Sequence, residues 1–208
     1  LKEAVLSGSF EKGKFYSETR IASQLGISRT PMRDALQKLM HEGYIDIIPS
    51  KGFTLHKITL EDLYSTFQIR CAIEGYSGME LAASLNKPEG RRCLKKLQAL
   101  VDAQKQLAQQ PQVDLVDLAS CDRDFHIELV SFVNNEWLSE TFRGQLYRIQ
   151  TLAQQSFRDP GRIEGAIGEH QAILTAIEQQ DPHQVYEAVH THMRVLSQLI
   201  ARLGLDTK

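Results

Sequence analysis

The sequence has few cysteines and lacks long apolar runs. Its three cysteines, Cys71, Cys93 and Cys121, are widely spaced and odd in number. This pattern is typical of reduced core residues and argues against a disulfide framework. No apolar run approaches the roughly 20 residues that a membrane-spanning helix needs, and no secretory signal pattern is found. We therefore expect a cytoplasmic protein without a membrane segment.

The composition favours a folded protein of one large or two small domains. Of the 208 residues, 42% are hydrophobic and 24% are charged, which is ordinary for a globular chain. The charge is uneven, with a net +3 over residues 1–57 and a net −5 over residues 58–208. A basic module joined to an acidic body favours nucleic-acid binding by one end. The chain begins with Leu1 inside a predicted helix, so we expect native residues before it.

The N-terminal segment alternates short helices with glycine breaks and ends in a hairpin. Helices are predicted over about 1–7, 17–25 and 28–42, and glycines follow each of them. Residues 44–48 and 53–55 are β-rich and flank a turn that contains Gly52, which predicts a β-hairpin. This is the order of a winged helix-turn-helix, whose second helix enters the DNA major groove.

The candidate DNA-binding residues lie near the starts of the second and third predicted helices and at the hairpin tip. Arg29 and Arg33 are four residues apart and share a helix face, and arginine is the commonest bidentate reader of guanine. Serine and threonine hydroxyls suit phosphate oxygens. An isolated arginine pair on a solvated helix would indicate no function. Here the order of the helices and the hairpin in the whole segment favours a role in DNA binding. The candidate set is Ser17, Arg20, Ser28, Arg29, Thr30, Arg33, Lys51 and Gly52.

The chain from Thr59 onward contains no strand signal. Long helices with short joints favour an antiparallel bundle. A run of glutamines at 104–110 is interpreted as a solvated helix end, and Trp137 and Tyr147 are interpreted as packing residues. The six helices are predicted over about 59–85, 89–109, 113–133, 136–157, 162–180 and 182–203.

The predicted fold class is therefore mainly α. A winged helix-turn-helix with a small β-hairpin wing is predicted over residues 1–57, and an all-α antiparallel helical bundle over residues 58–208.

Four polar residues interrupt the apolar stripes of three bundle helices: Asp122, His126, His170 and His192. Burying such groups without partners costs roughly 2–7 kcal/mol for each polar group. One carboxylate and three neutral imidazoles that converge on a divalent cation would satisfy one another. This donor set suits Zn²⁺, Ni²⁺, Mn²⁺ or Fe²⁺ better than Ca²⁺ or Mg²⁺, and we expect Zn²⁺. The alternative is a set of hydrogen-bonded core residues without a metal.

Arg70 and Arg148 are the candidate effector-binding residues. Four protein ligands leave open positions on an ion that prefers five or six partners, and a small organic acid can fill them. Both arginines lie within predicted bundle helices, and a guanidinium can hold a carboxylate through two hydrogen bonds. The simpler alternatives are an ion pair of Arg70 with Glu74 and a surface position for Arg148.

The N-terminal segment strongly resembles the DNA-binding domain of the GntR superfamily. The match spans nearly all of residues 1–55 and is most specific over Ser28 to Arg33. Residues 42–45 and 51–55 resemble the end of that family's recognition helix and its wing. The resemblance implies operator binding by this segment.

The remaining chain resembles the all-helical effector domain of the FadR-type branch, called the FCD domain. In metal-containing members, an Asp-x-x-x-His pair and two later histidines bind one divalent ion, so the resemblance implies the same four ligands here. The motifs that carry it are Arg70-x-x-x-Glu74, Asp122-x-x-x-His126, Glu169-His170 and His192.

Together these observations predict a ligand-responsive transcription factor and not an enzyme. We expect a homodimer that binds a palindromic operator as a repressor, since blocking a promoter needs only occupancy. A small carboxylate effector bound near the metal would change operator affinity. Two alternatives stay open: a constitutive DNA-binding protein with a structural metal, and a helical-bundle metalloenzyme. The second would need a general base, and no carboxylate is clearly placed for one.

Overall fold

The computed structural model describes residues 1–203 of the chain. Its backbone contacts divide the chain into two compact units, residues 1–58 and a second unit that begins at Thr59. The fold class is mainly α, as predicted, with a two-stranded hairpin between the N-terminal helices and a helical bundle. Over residues 1–203, every helix is too short or too polar to span a membrane.

The first unit is built from short helices that pack on a β-hairpin. The register places Ile45 opposite Leu55 and Ile48 opposite Gly52. Ser17 begins the second helix because its hydroxyl accepts a hydrogen bond from the backbone N–H of Arg20. The elements are α1 (Lys2–Leu6), α2 (Glu18–Gln24), α3 (Arg29–His41), and the antiparallel strands β1 (Ile45–Ile48) and β2 (Gly52–Leu55).

The core of the first unit fixes which face of α3 meets solvent. Met32, Leu36 and Leu39 recur at helical spacing and are buried, together with Tyr44 and Phe53. The opposite face of α3 is therefore left in solvent, and it carries the predicted DNA-binding side chains.

The second unit is a bundle with one main apolar core. The longest helices bury residues at helical spacing, as amphipathic helices of a bundle do. The fourth helix packs on the tenth, and the sixth lies between the fifth and the eighth. The helices are α4 (Leu60–Ala83), α5 (Pro88–Ala108), α6 (Leu115–Ser131), α7 (Glu136–Arg143), α8 (Leu146–Ser156), α9 (Arg162–Glu178) and α10 (Pro182–Leu203).

Two local features fix the position of α4. A capping box starts the helix: the Thr59 hydroxyl accepts from the Asp62 N–H at 3.1 Å, and Asp62 Oδ2 accepts from the Thr59 N–H at 2.9 Å. Further along, Gly78 allows α10 to approach closely, because a Cβ at that position would lie 2.7 Å from Cγ1 of Val185.

The prediction of one helix over 136–157 is wrong, because α7 and α8 are separate helices. The Gln145 N–H bonds to the Phe142 carbonyl at 2.8 Å, a tighter turn than that of an α-helix. Gly144, a poor helix former, lies at this break. The packing role expected for Trp137 is also wrong, since this side chain is 81% exposed. The α7 helix buries Phe142 instead, and Trp137 lies five residues earlier on a different face.

Candidate metal centre and nucleic-acid interface

Three of the predicted metal ligands come together in the bundle core. His126 of α6, His170 of α9 and His192 of α10 each offer a ring nitrogen, and these atoms lie within 4.8 Å of one another. The three residues are at most 2% exposed. The apolar stripes that carry them bring them inward, as the sequence predicts.

Asp122, the fourth predicted ligand, lies beside two of the histidines. Its Oδ2 is 3.7 Å from Nε2 of His126, and its Oδ1 is 3.5 Å from Nε2 of His170. These distances are too long for hydrogen bonds. Donor atoms that share an ion at about 2.0–2.2 Å lie about 3–4 Å apart, so the spacing fits ligands of one cation.

The inward nitrogens of two histidines are unpaired. Within residues 1–203, Nε2 of His126 and Nε2 of His170 are buried and have no hydrogen-bond partner. Leaving a buried polar atom unpaired costs about 1–3 kcal/mol. A divalent cation accepts the lone pairs of neutral imidazoles, so the donor set fits a metal ion.

Gln104 holds the outer side of the His170 ring. Its Oε1 lies 2.8 Å from Nδ1 of His170 and accepts a hydrogen bond from it, which leaves Nε2 for a metal. Gln104 is only 2% exposed, so the prediction of a solvated helix end is wrong at its first residue. The signal that identifies it is the α5 stripe, because Gln104 follows the buried Leu97 and Val101 at helical spacing.

Two glutamates lie behind the other two imidazoles. Glu169 Oε2 accepts a hydrogen bond from Nδ1 of His192 at 2.6 Å. Glu74 Oε2 lies 2.6 Å from Nδ1 of His126, but the geometry of this contact is not that of a hydrogen bond. Within residues 1–203, neither atom has a hydrogen-bond partner. Carboxylates in this position orient metal-binding histidines and raise their basicity. Sequence reasoning missed both roles; the signal for Glu169 was its place directly before His170.

Each of these glutamates is paired with a buried arginine. Arg70 Nε donates to Glu74 Oε1 at 2.6 Å, so the ion pair that the sequence offers as the simpler alternative is present. Arg70 Nη2 is buried and has no hydrogen-bond partner within the described residues, which leaves one donor for a ligand. Arg162, which sequence reasoning missed, donates through both terminal nitrogens to Glu169 at 2.6 and 2.8 Å.

Arg148, the other candidate effector-binding residue, forms an ion pair with the start of α4. Its Nε donates to Asp62 Oδ1 at 2.9 Å, and its side chain is 18% exposed. Arg148 is therefore largely buried, and the surface position offered as its alternative is only partly correct. Its role toward an effector stays a prediction.

Burial controls protonation in the histidine cluster. Desolvation raises the pKa of Asp122 to about 7, against the effect of two nearby arginines. Desolvation lowers the pKa of His126 and His170 well below the ordinary value, and it lowers the pKa of His192 despite the glutamate beside it. All three imidazoles are therefore neutral at pH 7, which is the form that binds a cation.

The predicted DNA-binding residues lie on the surface of the first unit, and only Gly52 among them is partly buried. Ser28, Arg29 and Thr30 stand at the start of α3, where a helix-turn-helix protein contacts base edges. The Arg33 side chain is 77% exposed, and its Nε lies 3.5 Å from Glu18 Oε1. Arg20 is exposed on α2.

A cleft of about 450 Å³ brings several of these residues together. Its lining includes Ser17, Arg33, Lys51 and Gly52. Gly52 has φ of 102°, and a Cβ there would overlap the carbonyl oxygen of Tyr16. The hairpin therefore requires glycine at this position, and direct DNA contact by Gly52 stays a prediction.

The helix-turn-helix with its hairpin, joined to a helical bundle, defines a DNA-binding transcriptional regulator. Two family models match the chain: "Bacterial regulatory proteins, gntR family" over residues 1–55, and the FCD domain over residues 65–195. The protein belongs to the GntR family of bacterial regulators and carries an FCD domain. The family predicted from the sequence is confirmed.

Curated relatives of the chain are also transcriptional regulators. It is 28% identical over 145 residues to the Nta operon transcriptional regulator of Aminobacter aminovorans. The aligned segment covers 70% of this chain and 66% of that protein. It is 24% identical over 187 residues to the transcriptional repressor RspR of Escherichia coli. The aligned segment covers 90% of this chain and 79% of that protein. These families and relatives are regulators, a class of proteins that are generally not enzymes.

Solved structures share the fold over nearly the whole chain. E. coli McbR/YncC superposes with a TM-score of 0.75 at 20% identity, covering 98% of this chain and 94% of that one. A GntR regulator from Rhodococcus sp. RHA1 superposes with a TM-score of 0.77 at 18% identity, covering 96% and 93%. At this level of identity, the likeness establishes the fold.

Proposed function

We propose that the protein is a metal-containing, ligand-responsive repressor. A homodimer binds a palindromic operator through α3, and a small carboxylate effector bound beside the metal changes operator affinity. The observation that carries the proposal is the pair of buried, unpaired Nε2 atoms of His126 and His170 beside Asp122. Since operator DNA lies in the cytoplasm, we propose that the protein acts there.

The ligand set of the proposed metal is Asp122, His126, His170 and His192. Imidazole and carboxylate donors suit Zn²⁺ first, with Ni²⁺, Mn²⁺ or Fe²⁺ as alternatives. When bound, the ion supplies positive charge and open coordination positions in the bundle core. This chain's own residues hold the imidazoles neutral and oriented, and Arg70 retains an unpaired donor in the same core.

The charge balance of the buried core supports an anionic effector. Asp122, Glu74 and Glu169 are the acidic groups around the cluster, and Arg70 and Arg162 are the basic ones. A divalent cation bound beside Asp122 favours its ionised carboxylate. The three carboxylates, the two guanidinium groups and the cation then give the core one net positive charge. Uncompensated buried charge is costly, so a bound monocarboxylate restores neutrality.

The DNA-binding role and the direction of regulation have separate support. The exposed start of α3 presents Arg29 and Arg33, which suit guanine edges. The similar E. coli protein RspR is named a repressor. These features favour repression over activation for this chain.

Elemental analysis of the purified protein tests the metal site. We expect about one ion per chain in the wild type and a fall towards zero in His126→Ala and His170→Ala, because each loses a ligand. His183→Ala is the matched control, since His183 is exposed in the first turn of α10. Full retention of metal in both cluster variants would contradict the assignment.

Operator binding with and without effector tests the sensing role. Thermal-shift screening of small carboxylates and sugar acids identifies a stabilising ligand, which is then titrated against operator DNA. We expect a 5- to 150-fold loss of operator affinity, about 1–3 kcal/mol of coupling, and no effect in His192→Ala. A stabilising ligand that leaves operator affinity unchanged would favour the constitutive regulator with a structural metal. Turnover of the ligand would favour the metalloenzyme.

A further inference from the structure

Two chains of contacts lead outward from the histidine cluster. The first, which we call the sealed relay, runs from His126 to Glu74 and on to Arg70. The side chains of Glu74 and Arg70 are 0% and 2% exposed, so this relay ends inside the protein. Its residues lie on α4 and α6.

The second chain of contacts, which we call the groove relay, runs from His192 to Glu169 and on to Arg162. The side chains of Glu169 and Arg162 are 16% and 5% exposed. Arg162 lies two helical turns before Glu169 on α9 and fixes its carboxylate through two hydrogen bonds. Each relay runs from histidine to glutamate to arginine, but only the carboxylate of the groove relay contacts solvent.

An open groove of about 420 Å³ lies against the groove relay. Arg162 and Glu169 form part of its wall, and Gln198, Leu199 and Arg202 of α10 lie across from the residues of α9. Solvent therefore reaches one side of the Glu169 carboxylate, while the other side holds the His192 ring. This places a negatively charged side chain between bulk water and a buried histidine cluster.

We propose that this groove is the route by which the metal ion enters and leaves the protein, and that Glu169 and Arg162 are positioning residues that close it by holding His192. The inference rests on the metal site proposed above. The cluster histidines are at most 2% exposed, so an ion can reach them only if a side chain moves. The Glu169 carboxylate is the relay group that a hydrated cation meets first, and carboxylate oxygens bind divalent cations.

The two parts of this proposal have different kinetic signatures. An obstruction in the groove slows uptake and release by the same factor and leaves the equilibrium Kd unchanged. Loss of the Glu169 charge weakens the hold on His192, and loss of such an outer partner typically raises the metal Kd about 10- to 100-fold. A substitution that only loosens the bundle would speed release and raise Kd, but it would not slow release at constant Kd.

The experiment uses the full chain, freed of metal by chelation and reloaded with Zn²⁺. Competition with a chromophoric chelator gives Kd, and stopped-flow mixing with excess chelator gives the release rate. We expect Gln198→Trp to slow release several-fold at constant Kd. We expect Glu169→Gln to raise Kd about 10- to 100-fold with faster release. The controls are Gln106→Trp and Glu164→Gln, at exposed positions outside the groove lining, and both should match the wild type.

Each outcome bears on one part of the proposal. Unchanged release in Gln198→Trp would overturn the route, and unchanged Kd in Glu169→Gln would overturn the positioning role. If Glu169→Gln does not fold, Arg162→Lys is the second variant. It keeps the positive charge but loses the two hydrogen bonds to Glu169. An unchanged Kd in Arg162→Lys would also overturn the positioning role. A wild type that binds no Zn²⁺ would instead contradict the metal site of the proposed function.

Discussion

Gln104 Oε1 accepts a hydrogen bond from Nδ1 of His170 at 2.8 Å, and both side chains are buried. We expect Gln104→Leu to raise the Zn²⁺ Kd about 10-fold, because the His170 ring loses the partner that orients it. The effect should be smaller than that of Glu169→Gln, since an amide is a weaker acceptor than a carboxylate. Chelator competition measures both. Gln106→Leu, on the exposed face of the same helix, is the control, and equal Kd values for the two leucine variants would contradict the role of Gln104.

Gly78 and Gly168 should respond oppositely to the same substitution. A Cβ on Gly78 would lie 2.7 Å from Val185, so Gly78→Ala should lower the free energy of unfolding by about 1–3 kcal/mol through overpacking between α4 and α10. A Cβ on Gly168 meets nothing within 4 Å, so Gly168→Ala should raise it by about 0.5–1 kcal/mol through helix propensity. Urea unfolding measures both changes. A stabilised Gly78→Ala would show that the two helices separate at little cost.

Arg33 and Lys51 should contribute to operator binding in different ways. Arg33→Ala removes a candidate bidentate base contact and should cost about 1–3 kcal/mol while relaxing one operator position. Lys51→Ala removes a candidate phosphate contact and should reduce the salt slope by about one unit, with similar losses on all sequences. Gel-shift titrations over a range of salt concentrations measure both, with Lys95→Ala of α5 as a charge control. Unchanged operator affinity in Arg33→Ala would show that α3 does not read bases through this residue.

The Cys93 thiol should be unreactive in the folded protein. Burial raises its pKa to about 12, so the native thiolate is scarce at pH 8.5, whereas the unfolded thiol ionises near its ordinary pKa of 9.0. Because the unfolded chain loses this proton first, the contribution of Cys93 to stability is full below pH 9 and falls as the pH rises towards 12. Iodoacetamide labelling followed by mass spectrometry should modify Cys93 in denaturant but not in the native protein. Native labelling at the denatured rate would contradict its burial.

Much of the fold follows from local sequence signals. The capping box at Thr59, the apolar stripe of α3 and the glycine at the hairpin tip each act within a few residues, and each predicts the local structure that forms. The break between α7 and α8 was not predicted, because a single glycine such as Gly144 is often tolerated inside a helix. Here the chain turns because Phe142 and Leu146 both pack into the core, which is a tertiary requirement.

The candidate site divides in the same way. The four proposed ligands stand out because a polar residue in an apolar stripe is a local signal. Their outer partners do not: Gln104 and His170 are 66 residues apart, and no spacing rule joins them. Arg162 and Glu169 are seven residues apart on one helix, but the pair is indistinguishable in sequence from a solvated one. Only the packing of α5, α9 and α10 selects these partners.

Asp62 connects the start of α4 with α8, in addition to its role in the capping box. One of its oxygens accepts from the Thr59 backbone at the entry to the bundle, and the other accepts from Arg148 of α8. A ligand carboxylate that captured Arg148 would have to compete with Asp62 for it. Loss of that bond would remove one of the two contacts that hold the Asp62 carboxylate at the start of α4. The side chain that caps α4 would then be held more or less firmly according to which anion Arg148 binds.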